Sequence, residues 1–212
     1  MTERRDSFHR AVWLFAACSI LGFLLESLQS WVMLGYVENR QGLLYGPFTP
    51  VYGAGALLYA LFYPYLKKKP WPVIFVSSAL LGSLVEFIWS WGQESLFHVV
   101  FWNYTMQPLQ IEGRVSLSFA LCWGVLGLFF YKGFYPLFLR SMEAARGRGK
   151  ALVSWSLLLL MVCNFSISIA AFSRQAQRRE QIAPSTMIDA FLDQAYPDER
   201  LRLQFPTMQD IS

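Results

Sequence analysis

Two glutamates stand inside otherwise apolar runs. Glu26 lies in Leu21-Gly-Phe-Leu-Leu-Glu-Ser-Leu-Gln-Ser-Trp31, and Glu86 in Leu81-Gly-Ser-Leu-Val-Glu-Phe-Ile-Trp-Ser-Trp91. An ionisable group at membrane depth costs on the order of 3 kcal/mol, so each carboxyl needs a partner or a task. Each run is followed by a polar, aromatic-rich stretch with a single arginine, Arg40 in the first and Arg114 in the second. These arginines are expected to reach down to the glutamates as charge-assisted pairs. Alternatively, one carboxyl holds a proton because desolvation and the other carboxyl disfavour its charge. Asn39, Tyr45, His98, Trp102 and Tyr104 stand in the same stretches and complete the candidate polar site. No catalytic residue is assigned, because the chain carries no Gly-x-Ser-x-Gly, His-Glu-x-x-His, Walker or dinucleotide motif.

The two glutamate segments superpose without a gap, and six of their eleven positions are identical, including the glycine and the closing Ser-Trp. This predicts two helical hairpins of equal orientation, residues 11–66 and 71–139, related by a pseudo-twofold axis along the membrane normal. Expected spans cover residues 11–35, 50–66, 71–91, 115–139 and 151–173, with Lys132 placed to snorkel to a headgroup. The expected fold is therefore all-α: a polytopic bundle of about five spans, two hairpins plus a fifth helix. Residues 1–140 form the main membrane domain, and 174–212 a polar tail. In the tail, Met187, Ile188, Phe191, Leu192 and Ala195 recur at helical spacing behind a Thr186/Asp189 cap. The glycines and prolines of residues 42–53 suit a re-entrant turn, which membrane depth tolerates only against protein or water.

Composition agrees with this layout. Of 212 residues, 55% are hydrophobic and only 15% charged, against about 25% charged in ordinary soluble domains. Disorder, a coiled coil and a nucleotide-binding domain are excluded on those numbers. Lys and Arg gather at the amino terminus, at residues 67–69 and at 140–150, which places the amino terminus inside and both motif-rich loops outside. The net charge of +4 then reflects orientation rather than nucleic acid. Arg174, Arg178 and Arg179 conflict with the pattern, because counting spans puts the tail outside. The three cysteines lie in apolar runs, and neither histidine has a ligand partner at metal spacing, so no disulfide, metal or cofactor is expected.

At these residues the chain resembles the bacterial ABC-transporter type IV family of small membrane proteins. The resemblance rests on Gly22-Phe-Leu-Leu-Glu26, on Asn39-Arg40 with Leu44-Tyr-Gly-Pro-Phe-Thr-Pro-Val-Tyr-Gly53, and on Glu86. It continues through Glu94-Ser-Leu-Phe-His98, Trp102-Asn-Tyr104 and Gly113-Arg114, and covers roughly residues 12–136. The chain departs from the family pattern at Asn103, where an aspartate is usual, and has one extra residue between Asn39-Arg40 and Leu44. The resemblance implies a permease-like subunit in the bacterial cytoplasmic membrane, working with a separate cytoplasmic ATPase; an oligomer is compatible with it. Two other functions fit the residues. One is an intramembrane enzyme, with Glu26 or Glu86 as general acid or base and Arg40, Arg114 and His98 holding an anionic lipid headgroup at the outer leaflet. The other is a structural partner of a membrane complex, in which Glu–Arg pairs only pin the hairpins.

Overall fold

The structure, a computed structural model, describes residues 2–144 and 148–211; the middle of the basic stretch 140–150 lies outside the described residues. Helix α1 spans Thr2–Leu34, α2 Pro50–Leu66 and α3 Trp71–Phe97. Prolines in the first turns of α2 and α3 cost no helical hydrogen bond, because those N–H groups have no partner in the helix. Helix α4, Leu117–Phe129, passes through a π-helical turn at Phe130–Phe134 into α5, Tyr135–Ala144. The Ser116 hydroxyl caps α4 by accepting from the Phe119 N–H at 3.4 Å. A long α6, Arg148–Arg179, is followed by the short tail helices α7, Met187–Ala195, and α8, Asp198–Gln204.

Among the described residues, four helical stretches are long and apolar enough to cross a membrane: Asp6–Leu34, Trp71–Phe97, Leu117–Ala144 and Gly149–Arg179. The remaining expected span, residues 50–66, forms as α2. Its 17 uncharged residues rise about 26 Å at 1.5 Å each, at the short end of the range that crosses a bilayer. Helix α2 is short because the chain enters it from within the bundle. Residues 40–49 descend between α1 and α6 as an irregular segment, bent over residues 42–47, and its backbone finds polar partners there. The Leu44 N–H donates to the Ser168 hydroxyl at 2.9 Å, and the Tyr45 N–H to Asn164 Oδ1 at 3.1 Å. Asn164 Nδ2 returns a bond to the Tyr45 carbonyl at 2.6 Å, and the Thr49 N–H donates to the Ser19 carbonyl at 3.0 Å. The expected re-entrant turn is thus present, sealed by side chains of α6. Gly46 makes its corner at φ 76°, where a residue with a Cβ would be strained.

Helix α1 packs most extensively on α2, and α3 on α4, with α2 joining the pairs and α6 lying along α1. The centre is aromatic. The Tyr59 hydroxyl donates to the Ser78 carbonyl at 2.8 Å, and the Tyr131 hydroxyl to the Tyr59 carbonyl at 2.8 Å. Lys132 reaches the carbonyls of Lys67 and Lys69 at the opposite end of the molecule from the descending segment.

The tail folds onto the end of the bundle that carries the two motif-rich loops. Strand β1, Val99–Val100, pairs antiparallel with β2, Gln209–Asp210. Leu192, Tyr196, Leu201 and Phe205 pack with Phe97, Phe101 and Phe172. The helix at 187–195 and its reciprocal Thr186–Asp189 cap form as expected. The three arginines that conflicted with the charge pattern are neutralised in place. Arg174, its side chain 2% exposed, binds both oxygens of Asp193 at 2.9 Å. Arg178 bridges Asp193 and Asp198, and Arg179 pairs with Asp210.

Hydrogen bonds from Arg174 hold the Asp193 carboxyl below its ordinary range, and bonds from Ser185 do the same for Asp189. A carboxylate whose folded value is depressed contributes stability that is complete above the unfolded value and lost as pH falls through the folded one. Pepsin should therefore begin to cleave the tail only below about pH 4, and Asp193→Asn should allow cleavage at higher pH. A tail equally resistant in both proteins down to pH ~2 would contradict this latch.

Candidate functional site

A cavity of about 240 Å³ opens between the hairpins at the loop end, and Glu26, Glu86 and Arg40 line it with Trp102 and Tyr104. Five of the nine residues singled out in the sequence are thereby brought together. The site is assembled from a local device that occurs in both hairpins. Glu26 and Gly22 are four residues apart on α1, and Glu86 and Gly82 four apart on α3, so each pair shares a helix face. A Cβ on Gly22 would collide with the Tyr52 ring of α2, and one on Gly82 with the Trp123 ring of α4. Each glycine thus lets an aromatic ring from the returning helix lie flush against the backbone, one turn from the glutamate. The polar edge of that ring then meets the carboxyl. The Tyr52 side chain lies beside the Glu26 carboxyl, and Trp123 Nε1 donates to Glu86 Oε2 at 3.2 Å. The two rings meet at a centroid distance of 5.3 Å.

Glu86 is 5% exposed, and its second oxygen accepts from the Tyr104 hydroxyl at 2.9 Å. Tyr104 is held by stacking on Phe119, with centroids 4.4 Å apart. Both donors to Glu86 are neutral, so they satisfy its lone pairs without supplying a counter-charge. Among the described residues neither Glu26 nor Glu86 forms an ion pair.

The expected Glu–Arg pairs are therefore corrected. Arg40 faces the cavity, but its guanidinium binds Glu38 at 2.7 Å. Arg114 pairs with Glu94 at 2.5 Å and Glu112 at 3.3 Å. Arg40 finds a carboxylate in its own loop, and Arg114 finds one in its loop and one near the end of α3. Trp102 Nε1 donates to the Arg114 carbonyl at 2.9 Å, which fixes the loop over the cavity.

Three candidates lie elsewhere. His98 is exposed and ends α3 in the left-handed region, at φ 53°; its carbonyl accepts from the Ile211 N–H at 3.0 Å. Asn39 donates to the Gln204 carbonyl at 2.9 Å, and Tyr45 and Tyr196 share a hydroxyl hydrogen bond of 2.6 Å. These residues bind the tail to the loops. The residues overlooked in the sequence are Tyr52, Trp123, Ser30 and Cys122 of the cavity wall. The glycine–aromatic device could have been inferred, since each glycine precedes its glutamate by one turn and each returning helix carries an early aromatic.

Long apolar helices packed as an all-α bundle mark a helical membrane protein. The family described as Putative ABC-transporter type IV matches residues 13–169, and the chain belongs to that family. The match runs past residue 136 through most of α6, so the helix that seals the descending segment is part of the shared unit. No curated protein and no solved structure matches the chain.

The flush packing at Gly82 gives a direct check. Gly82→Ala should destabilise the detergent-solubilised protein by about 1–3 kcal/mol, the usual cost of overpacking. A Cβ at Gly92, further along α3, meets nothing within 4 Å, so Gly92→Ala should be neutral or stabilising by up to about 1 kcal/mol. Equal thermal stability of the two variants would show that the ring does not lie on the helix.

Proposed function

We propose that the protein is a permease-like subunit of a transporter and that the cavity at Glu26 and Glu86 is its solute site. The observation that carries this reading is the convergence of two carboxyls from two different hairpins on one cavity: Glu86, buried with only neutral donors as partners, and the half-buried Glu26. Such groups cost stability that apolar packing would not, and in membrane helices they mark solute, ion or proton routes. The matching Gly22–Tyr52–Glu26 and Gly82–Trp123–Glu86 arrangements support a parallel internal repeat with the site at its interface. Lys67, Lys68 and Lys69 support a cytoplasmic face at that end, so that the cavity opens outward from the bacterial cytoplasmic membrane with the amino terminus inside. The tail packs on the same end of the bundle as the two motif-rich loops, which supports placing it on their side of the membrane although Arg174, Arg178 and Arg179 oppose that in the charge pattern.

The lipid-headgroup enzyme reading is weaker on this geometry. Two of its three cationic contacts, Arg114 and His98, are engaged or directed elsewhere. A purely structural role for Glu–Arg pairs lacks the pairs themselves.

In this reading, purification from native membranes in mild detergent should co-elute an ATP-hydrolysing subunit. Glu26→Gln/Glu86→Gln should leave that association intact while abolishing solute-stimulated ATP hydrolysis by the complex. A chain recovered without any nucleotide-hydrolysing partner would contradict the proposal.

A further inference from the structure

Directly beneath the polar cavity runs a second, apolar groove of about 180 Å³, and Tyr52, Trp123 and Leu126 wall both. The rest of the groove is hydrophobic, with Cys18, Leu21 and Leu25 on α1 and Phe129 and Phe130 towards the π-turn. It exists because α1 packs on α2 while α4 packs on α3, and the backbones of α1 and α4 hardly approach one another. Its rim faces outward: Leu21 is 42%, Leu25 45% and Phe129 71% exposed. A membrane protein with such a gap opens sideways to the hydrocarbon core. From Glu26 to Cys18 the groove follows α1 for about 12 Å, room for a medium-length alkyl chain.

We propose that the site takes a single-chain cationic amphiphile, its ammonium head at Glu26 and Glu86 and its alkyl chain in the groove between α1 and α4. The inference rests on the solute-site reading above and names the solute's class. Charge complementarity selects the head. The two carboxyls converge without an ion-paired cation, and the one arginine in the cavity is already bound to Glu38. An anionic head would add a like charge beside both glutamates. Tyr52, Trp123, Tyr104 and Trp102 line the same space, and aromatic side chains attract quaternary ammonium groups. The groove selects the chain, because an apolar wall continuous with a charged pocket rewards a ligand that is charged at one end only. Entry is lateral, from the bilayer.

The test uses the full-length protein in nanodiscs of zwitterionic lipid, with saturable binding of radiolabelled decyltrimethylammonium measured by equilibrium dialysis. Decyltrimethylammonium should bind at least tenfold more tightly than tetramethylammonium, since each buried methylene adds roughly fourfold. Decyl sulfate should not compete. Glu26→Gln/Glu86→Gln should weaken both cations. Leu21→Trp/Leu25→Trp, which fills the groove from its lipid-facing rim, should weaken decyltrimethylammonium alone. If both cations bind equally and the groove variant changes nothing, the amphiphile inference fails while the polar solute site survives. Equal competition by decyl sulfate overturns the charge argument. Absence of saturable binding by either cation overturns the site itself, independently of whether an ATPase co-purifies.

Discussion

The carboxyl of Glu86 is held inside the bundle by one tyrosine and one tryptophan, and neither carries a charge. Much of the loop end follows from meeting that requirement. Trp123 can reach the carboxyl because Gly82 lets its ring lie on α3. Tyr104 can reach it because Phe119 stacks beneath the ring and Trp102 ties the loop to the Arg114 carbonyl. Arg114 in turn is free to hold the loop to α3 through Glu94 because neutral groups have satisfied Glu86. Substituting an arginine pair for the aromatic donors would have closed the cavity with a side chain. Neutral donors leave the carboxyl without a counter-charge.

The same rule, that a polar group in apolar surroundings must find a protein partner, explains the descending segment. Its peptide groups are met by Ser168 and Asn164 of α6 and by a carbonyl of α1. The segment leads into α2 and places Tyr52 beside Glu26 in the cavity wall. At the membrane surface the tail applies the rule to charge: Asp193, Asp198 and Asp210 neutralise three arginines at the end of α6, and the tail stays beside the loops it covers.

Much of this was legible in the sequence. The apolar runs located the long helices, Thr186 and Asp189 marked the cap of α7, and the repeated Leu-Gly-x-Leu-x-Glu segments pointed to the carboxyls that meet. The pairing of the arginines was not legible, since Glu38, Glu94 and Glu112 compete for them at shorter range and sequence spacing does not rank such partners. Nor was the role of Asn39 and Tyr45, because their partners Gln204 and Tyr196 belong to a tail whose position is set by tertiary packing.

The central claim is that Glu26 and Glu86 share one cavity reached by water from the loop end. Cys122 lines that cavity beside Trp123, so it serves as a native reporter. In a Cys18→Ala/Cys163→Ala background, a membrane-impermeant thiol reagent added to the outside of intact cells should modify Cys122, and Gly22→Leu, which forces the Tyr52 ring towards the cavity, should slow that modification. Labelling of Cys122 only after the membrane is opened would contradict an outward-facing cavity.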